Sequence, residues 1–104
     1  MPDTALLDIS DMRAAAGEAT AALRSLAHED RLLLLCQISQ GERCVSDLQQ
    51  ELDMQQPMLS QQLGVLRRAG LVSTRREGKR IYYSVADPRI MAVLQTLYEN
   101  YCPQ

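Results

Sequence analysis

Residues 45–85 carry two short helical patterns separated by a tight turn and followed at once by two strand patterns. Ser46 precedes an acidic first turn and has a glutamine three residues on, which predicts a capping box at the start of a helix over residues 47–52. Pro57 suits the first turn of a second helix over residues 56–69, where leucines recur at helical spacing. Two such helices joined by a turn of three or four residues predict a helix-turn-helix.

The segments on either side of this motif complete the prediction of the fold. Gly70 ends the second helix, and the alternating residues beyond it predict a β-hairpin. The predicted strands cover residues 71–76 and 80–85. Two further helices are predicted over residues 10–27 and 29–39, and a last helix begins at Asp87 and Pro88. We therefore expect a winged helix-turn-helix, mainly α with a small β-hairpin, in the order α-α-α-α-β-β-α. A single domain is expected over residues 1–104, with residues 1–9 as a flexible N-terminus.

Positive charge is concentrated around this hairpin, although the chain as a whole is acidic. The formal net charge is -2 and the pI is about 5.3. The basic residues of the cluster are Arg67, Arg68, Arg75, Arg76, Lys79 and Arg80, and Glu77 is the single acid among them. Clustered cations displace phosphate counterions whatever the total charge, so this cluster predicts contact with nucleic acid. A solvated charged loop is the alternative for the hairpin taken alone.

The start of the second helix of the motif is rich in small polar groups. The residues predicted to contact DNA are Gln55, Gln56, Met58, Ser60, Gln61 and Gln62 on this helix, with Arg75, Arg76, Lys79 and Arg80 on the hairpin. Glutamine can form two hydrogen bonds with adenine, and serine donates or accepts, which suits the reading of base edges in the major groove. The hairpin cations would hold flanking phosphates or enter the minor groove. In the alternative, the polar groups merely solvate a surface helix and the domain binds protein partners.

Features that the sequence lacks disfavour other classes of protein. No run approaches the roughly 18 apolar residues of a membrane span. The N-terminus has no basic stretch ahead of an apolar one, so we expect no export and a cytoplasmic location. No Cys-x-x-Cys, paired catalytic carboxylates or phosphate-binding glycine loop is evident, which argues against a thiol oxidoreductase or other enzyme and against a bound cofactor. Three cysteines in such a chain suggest a reducing compartment and reactive thiols.

Four sequence stretches follow one another in the order LAHEDRLLLL, GERCVSDLQQEL, QQPMLSQQLGVLRRAGLV and RREGKRIYYSV. Together they resemble the ArsR/SmtB family of bacterial winged-helix repressors over residues 22–102. The resemblance implies a homodimer joined through the first and last helices, in which each subunit reads half of an inverted-repeat operator in double-stranded DNA. It also implies that an inducer releases the DNA.

The inducer site differs between branches of this family, and the metal-binding branches fit this chain poorly. The arsenic and cadmium branch starts the helix before the turn with Cys-Val-Cys, whereas this chain has Cys44, Val45 and Ser46. The zinc branch carries His, Asp and Glu ligands in its last helix, and residues 87–104 contain no histidine. His28 is expected to be structural at the start of the second helix, because an imidazole ligand needs companions at set spacing. No metal site is predicted.

Cys36 and Cys102 resemble the thiol pair of the persulfide-sensing, SqrR/BigR-type branch, in which two cysteines at matching places form a polysulfide or disulfide bridge. The resemblance therefore implies a reactive sulfur species as the inducer. A link between them would tether the last helix to the core and shift the two recognition helices of the dimer.

Other roles for the cysteines stay open at this point. Cys36 is alternatively a small buried hydrophobe. Arsenite or another soft metal could be bound by Cys36, Cys44 and Cys102, or the pair could sense oxidants in general. Cys44 is otherwise a remnant of the metalloid motif or an inert surface residue.

Overall fold

The computed structural model describes residues 8–103, which form five helices and a small three-stranded antiparallel sheet. The elements are α1 (Ile9–Leu26), α2 (Glu29–Ser39), β1 (Arg43–Cys44), α3 (Val45–Leu52), α4 (Gln56–Arg68), β2 (Val72–Glu77), β3 (Arg80–Val85) and α5 (Pro88–Tyr101). This order confirms the predicted mainly α, winged helix-turn-helix architecture and adds the short strand β1. No helix in residues 8–103 is long and apolar enough to cross a membrane.

Helix α1 begins earlier than predicted. The Asp8 carboxylate accepts hydrogen bonds from the hydroxyl and the backbone N–H of Ser10, at 2.9 and 3.3 Å, and so caps the first turn. The same bonds hold the pKa of Asp8 below its ordinary value. Ile9 is therefore the first residue of α1 and Asp8 its N-cap, while residues 1–7 of the N-terminus predicted to be flexible over residues 1–9 lie outside the described residues.

Helix α2 is the centre of the hydrophobic core. Its Leu34, Leu35 and Ile38 are almost entirely buried, and the helix contacts α1, α3, α4, α5 and β3. The other helices contribute Leu48, Leu59, Leu63, Leu66, Ile90 and Leu94 to the same core. Each fully buried aliphatic side chain of this size contributes roughly 1.5–3 kcal/mol. A chain without Phe or Trp thus builds its core from leucine and isoleucine.

The helix-turn-helix consists of α3, residues 53–55 and α4. Asp53 adopts a left-handed conformation with φ 54° and ends α3. Gly70, with φ 77°, lets the N–H of Leu71 donate to the carbonyl of Leu66 at 3.0 Å, which closes the end of α4. The predicted turn length and the predicted glycine stop are both confirmed.

The start of α3 differs from the prediction, because Cys44 and not Ser46 is the N-cap. The backbone N–H of Cys44 donates to the Asp47 carboxylate at 3.1 Å, and this bond lowers the pKa of Asp47. Ser46 already lies inside the helix. The physical reason is strand β1: Cys44 is paired with Tyr82 of β3, so the extended chain runs directly into the helix without an intervening loop.

Strands β2 and β3 form the predicted hairpin, and β1 joins β3 to give the order β1-β3-β2. Glu77 lies opposite Arg80, which leaves a two-residue turn in which Gly78 takes φ 62°. Tight hairpin turns of this kind need a positive φ, which glycine adopts without strain. Along β2, buried Val72 and exposed Arg75 point to opposite faces. The hairpin therefore packs one face on the core and projects its tip beyond it as a wing.

Candidate nucleic-acid interface and thiol pair

The first turns of α4 carry most of the residues that were predicted to read bases. Gln55 is the N-cap of this helix and is exposed, as are Gln56, Ser60 and Gln61. Met58 is half-buried and packs against the core. The exposed groups at this end of the helix are therefore amides and a hydroxyl, which can donate to and accept from base edges.

Arg75, by contrast, is engaged within the protein. Its Nε donates to both carboxylate oxygens of Glu42, at 2.8 and 3.0 Å, and its Nη1 donates to Glu77 at 2.6 Å. The guanidinium also lies over the Tyr82 ring, 4.8 Å from its centroid. Glu42 first, and then Glu77, raise the pKa of Arg75, while the bond from Arg75 lowers the pKa of Glu42. One cation held by two anions has little attraction left for a phosphate.

Arg76, Lys79 and Arg80 are the other hairpin cations, and all three are exposed. In the part of the chain that the structure describes, Arg76 and Lys79 form no ion pair. The Tyr82 side chain beside Arg80 raises the pKa of Arg80. The charge of these three residues therefore faces solvent at the tip of the wing.

An open cavity of about 350 Å³ separates the wing tip from the helix-turn-helix. Its lining includes Gln56 at the start of α4 and Lys79 and Arg80 from the hairpin. The fold thus brings a predicted base-reading glutamine and two predicted phosphate-binding cations to one surface. We define the reading surface as the exposed residues Gln55, Gln56, Ser60, Gln61, Arg76, Lys79 and Arg80.

Gln62 lies on a different face of α4. It is 9% exposed, and its Oε1 accepts a hydrogen bond from Nη1 of Arg31 at 3.1 Å. Leu59 lies three residues before it and Leu66 four residues after it, so helical geometry puts Gln62 among the core leucines. Its position gives no support to the predicted contact with DNA, and we leave Gln62 out of the reading surface.

Cys36 and Cys102 lie at the contact between α2 and α5. Cys36 is half-buried, and Cys102 is the exposed C-cap of α5. Burial raises the pKa of the Cys36 thiol, and repulsion from a Cys102 thiolate adds to this rise. The cavity of about 350 Å³ at this contact is lined by Cys36, Ser39, Gln40, Met91, Gln95 and Tyr98.

Cys44 is not grouped with this pair. It is 3% exposed, with its Sγ 3.1 Å from the Ser46 Oγ, so Cys44 is a buried residue and not the surface residue of that alternative. Among residues 8–103, no three or more His, Cys, Asp or Glu side chains are placed so that they could hold a metal ion. His28 has the predicted structural role, since it is the N-cap of α2 and its Nδ1 accepts from the backbone N–H of Arg31 at 3.4 Å.

The outer faces of α1 and α5 expose apolar side chains. Within the described residues, Leu26 is the one buried side chain of α1, whereas Leu23 is 56% exposed. The α1–α5 face, as we define it, comprises the exposed residues Ile9, Met12, Leu23, Val93 and Tyr101. Met91 and Tyr98 lie on another side of α5, in the lining of the cavity that contains Cys36. Glu18 and Arg89 form an ion pair between the two helices, and both helices line one open cavity that includes Leu23 and Val93.

Arg31 and Glu42 organise these surfaces and were missed by the sequence analysis. Arg31 bonds to Gln62 on a distant helix, and Glu42 bonds to Arg75 on the hairpin. Both contacts join residues that are far apart in the chain, so neither helical nor strand spacing signals them. Only the tertiary fold brings the partners together.

Comparison with known proteins gives consistent matches over nearly the whole chain. Residues 28–74 match the family described as bacterial regulatory protein, arsR family. The biofilm growth-associated repressor of Agrobacterium fabrum is 44% identical over 100 residues, which cover 96% of this chain and 86% of that protein. The transcriptional activator HlyU of Vibrio cholerae is 34% identical over 92% of this chain and 89% of its own length. The solved structure of the transcriptional repressor BigR from Xylella fastidiosa is 40% identical, with a TM-score of 0.85, over 94% of this chain and 100% of that one.

Proposed function

The chain belongs to the ArsR family of bacterial regulatory proteins, as its sequence resemblance predicted, and we propose that it is a homodimeric repressor controlled by the thiols of Cys36 and Cys102. Its relatives are regulators of transcription, which confirms the prediction that it is not an enzyme. In the reduced form it binds an inverted-repeat operator in double-stranded DNA. A reactive sulfur species then links the two thiols and releases the operator. Because bacterial DNA is its target, the protein acts in the cytoplasm.

Repression by the reduced form is supported by the reading surface and by the relatives. Two of them, at 44% and 40% identity, are named repressors. Gln56 and Ser60 are exposed at the start of α4, where a recognition helix contacts base edges, and Arg76 and Lys79 can hold flanking phosphates.

Dimerisation is supported by the α1–α5 face. A helix of 18 residues with a single buried side chain has little packing within its own chain, and most helical stability comes from such packing. A second copy of the chain, related by a two-fold axis, would cover the same face on both subunits. Two recognition helices would then face successive major grooves of an inverted repeat.

The observation that carries the thiol switch is the packing of α5 on α2, with Cys36 in the lining of the cavity at this contact and Cys102 as the C-cap of α5. Cys102 is exposed and reachable, whereas the raised pKa keeps Cys36 protonated at neutral pH. Because Cys102 is the more accessible of the two, we assign it the first step.

The chemistry takes two exchange steps. The Cys102 thiolate attacks the outer sulfur of a persulfide such as glutathione persulfide, giving a Cys102 persulfide and the glutathione thiolate. Cys36 then loses its proton to water and attacks the Cys102 sulfur, which forms the disulfide and expels hydrosulfide. If a second persulfide first adds another sulfur to Cys102, attack by Cys36 on the middle sulfur gives a trisulfide and again expels hydrosulfide. The trisulfide spans a wider gap than a disulfide, whose Cα atoms lie within about 7 Å.

The link weakens DNA binding because it favours a conformation other than the DNA-bound one. It ties the end of α5, part of the α1–α5 face, to the central core helix α2. The two subunits then change their relative placement, and with it the spacing of the two α4 helices. Coupling free energies of about 1–3 kcal/mol are typical of such switches.

The test measures operator binding before and after treatment with glutathione persulfide, alongside intact mass. We expect Cys36→Ser and Cys102→Ser to bind the operator like the wild type when reduced, and to remain bound to it after treatment. Cys44→Ser is the matched control, since serine is a good N-cap, and it should still release DNA. Release that persists in Cys36→Ser or Cys102→Ser contradicts the switch.

Parallel treatment with hydrogen peroxide and with arsenite separates the alternative inducers. If hydrogen peroxide alone forms the disulfide between Cys36 and Cys102 and releases the operator, the protein is a general oxidant sensor. Thiolate-to-metal absorption with arsenite would identify a metalloid site, for which the described residues offer no cluster of three ligands.

A further inference from the structure

Gln62 and Arg31 form a part-buried polar contact at the edge of a core made of apolar side chains. Gln62 is the one buried polar residue in the described part of the chain, and it lies on α4, the helix that carries most of the reading surface. Its Oε1 accepts a hydrogen bond from Nη1 of Arg31, at the start of α2. Burial of an amide costs free energy unless its hydrogen bonds are made, so this contact restricts where α4 can lie.

The same guanidinium also holds the end of α1. Nε of Arg31 donates to the carbonyl of Ser25 at 2.7 Å, and Nη2 donates to the carbonyl of Arg24 at 3.3 Å. The last carbonyls of a helix have no partner within the helix, and the negative end of its dipole attracts a cation. One planar group with donors in fixed directions therefore joins α1 to α4.

We propose that Arg31 and Gln62 are positioning residues that set the orientation of the recognition helix relative to α1, and so fix the distance between half-sites that the dimer accepts. The proposal rests on the dimer through the α1–α5 face described above. It assigns to Gln62 a role in reading DNA through spacing, without contact to a base.

Hydrophobic packing alone would leave this orientation less well defined. Leu59, Leu63 and Leu66 hold α4 on the core, but burial of apolar surface has no preferred direction. A hydrogen bond from a rigid guanidinium does have one, because it weakens steeply when the donor angle departs from linearity. Small rotations of α4 within each subunit would change the separation of the two recognition helices in the dimer.

The experiment uses the reduced full-length chain and operators selected by the wild type from random DNA. Each protein is titrated with the selected operator and with versions that have one base pair added or removed between the half-sites. The measured quantity is the ratio of affinities for the selected and altered spacings. Gln62→Leu removes the acceptor, Gln62→Glu keeps one, and Ile38→Val weakens the core of α2 without touching the contact.

We expect Gln62→Leu to lower the spacing ratio about tenfold, the size of a typical coupling between sites. Gln62→Glu should retain the wild-type ratio, because a carboxylate also accepts from the guanidinium. Ile38→Val should lose thermal stability yet keep the ratio. Arg31→Lys should behave like Gln62→Leu, since an ammonium cannot reproduce the planar fork.

An unchanged ratio in Gln62→Leu, or an equal drop in Ile38→Val, overturns the proposal and leaves the dimeric repressor intact. If the wild type shows no preference for the spacing of half-sites, or sediments as a monomer on its operator, then the proposed homodimer is wrong and this inference is wrong with it. The persulfide response is measured separately and does not enter either comparison.

Discussion

Arg75 and Arg76 are neighbours on one strand, yet the structure predicts that they affect DNA binding unequally. Arg76 is exposed and forms no ion pair within residues 8–103, whereas Arg75 is bonded to Glu42 and Glu77. Each cation that neutralises a phosphate contributes about 0.9 to the slope of log K against log salt. In the proposed homodimer, Arg76→Met therefore makes the slope shallower by about 1.8. Between about 50 and about 200 mM salt, this changes the loss of affinity by about 12-fold.

Arg75→Met is the matched control for this prediction. It removes the same charge from the same strand, so the long-range attraction to DNA falls equally in both variants. Because the Arg75 charge is already balanced by carboxylates, we expect its slope to change by less than about half as much as that of Arg76→Met. Arg76→Met should alter the unfolding free energy by no more than about 0.5 kcal/mol. Arg75→Met also removes exposed ion pairs and a contact with the Tyr82 ring, each worth up to about 1 kcal/mol, so its folded fraction is checked by thermal denaturation.

The assay is fluorescence anisotropy of a labelled operator over a series of salt concentrations, with thermal denaturation as the check on folding. A slope that is unchanged in Arg76→Met would refute the assignment of Arg76 to a phosphate contact. Equal slope changes in the two variants would show that the Glu42 and Glu77 contacts open when DNA binds. If these contacts open, Glu42→Gln should leave the slope unaltered. If Glu42 instead still holds Arg75 in the complex, Glu42→Gln frees Arg75 to contact a phosphate and makes the slope steeper.

Cys102→Ser should lower the pKa of Cys36 toward its ordinary value without reaching it, because burial is the larger cause of the rise and remains. The pKa is measured from the rate of alkylation of Cys36 against pH. An unchanged pKa would show that Cys102 does not act on Cys36 electrostatically. Leu34→Ala, at a fully buried position, should lower the unfolding free energy by about 2–5 kcal/mol in urea denaturation, and a loss below 1 kcal/mol would contradict its place in the core. Leu23→Glu combined with Val93→Glu should give a folded monomer in analytical ultracentrifugation; a dimer of unchanged strength would place the subunit contact elsewhere.

The helices and the hairpin could be predicted because their signals are local. Leucine spacing marks α4, and Gly70 and Gly78 supply the positive φ that ends a helix and turns a hairpin. The start of α3 could not be placed in this way. Ser46 looks like a better cap than Cys44, and only the pairing of Cys44 with Tyr82 decides otherwise.

The reading surface was predicted by residue type, and residue type does not tell which glutamine is exposed. Gln61 and Gln62 are adjacent and chemically identical, yet one is exposed and the other is buried. The helical spacing of Gln62 from Leu59 and Leu66 carried this information, since residues three and four apart share a face. The partner, Arg31, carried no such signal.

Helix α2 carries both Cys36 and Arg31, and we propose that it links the thiol pair to the reading surface. The two residues are five positions apart, about 7.5 Å along the axis at about 1.5 Å per residue, so a short rigid helix moves both together. A link at Cys36 that displaces α2 therefore also displaces the guanidinium that holds Gln62 on α4. We expect glutathione persulfide to lower operator affinity by a smaller factor in Gln62→Leu than in the wild type, where about 5–150-fold is typical of coupled sites. Affinity is measured before and after treatment, with intact mass showing that both proteins carry the same link. Equal losses of affinity at equal linkage would show that the signal reaches α4 by another route.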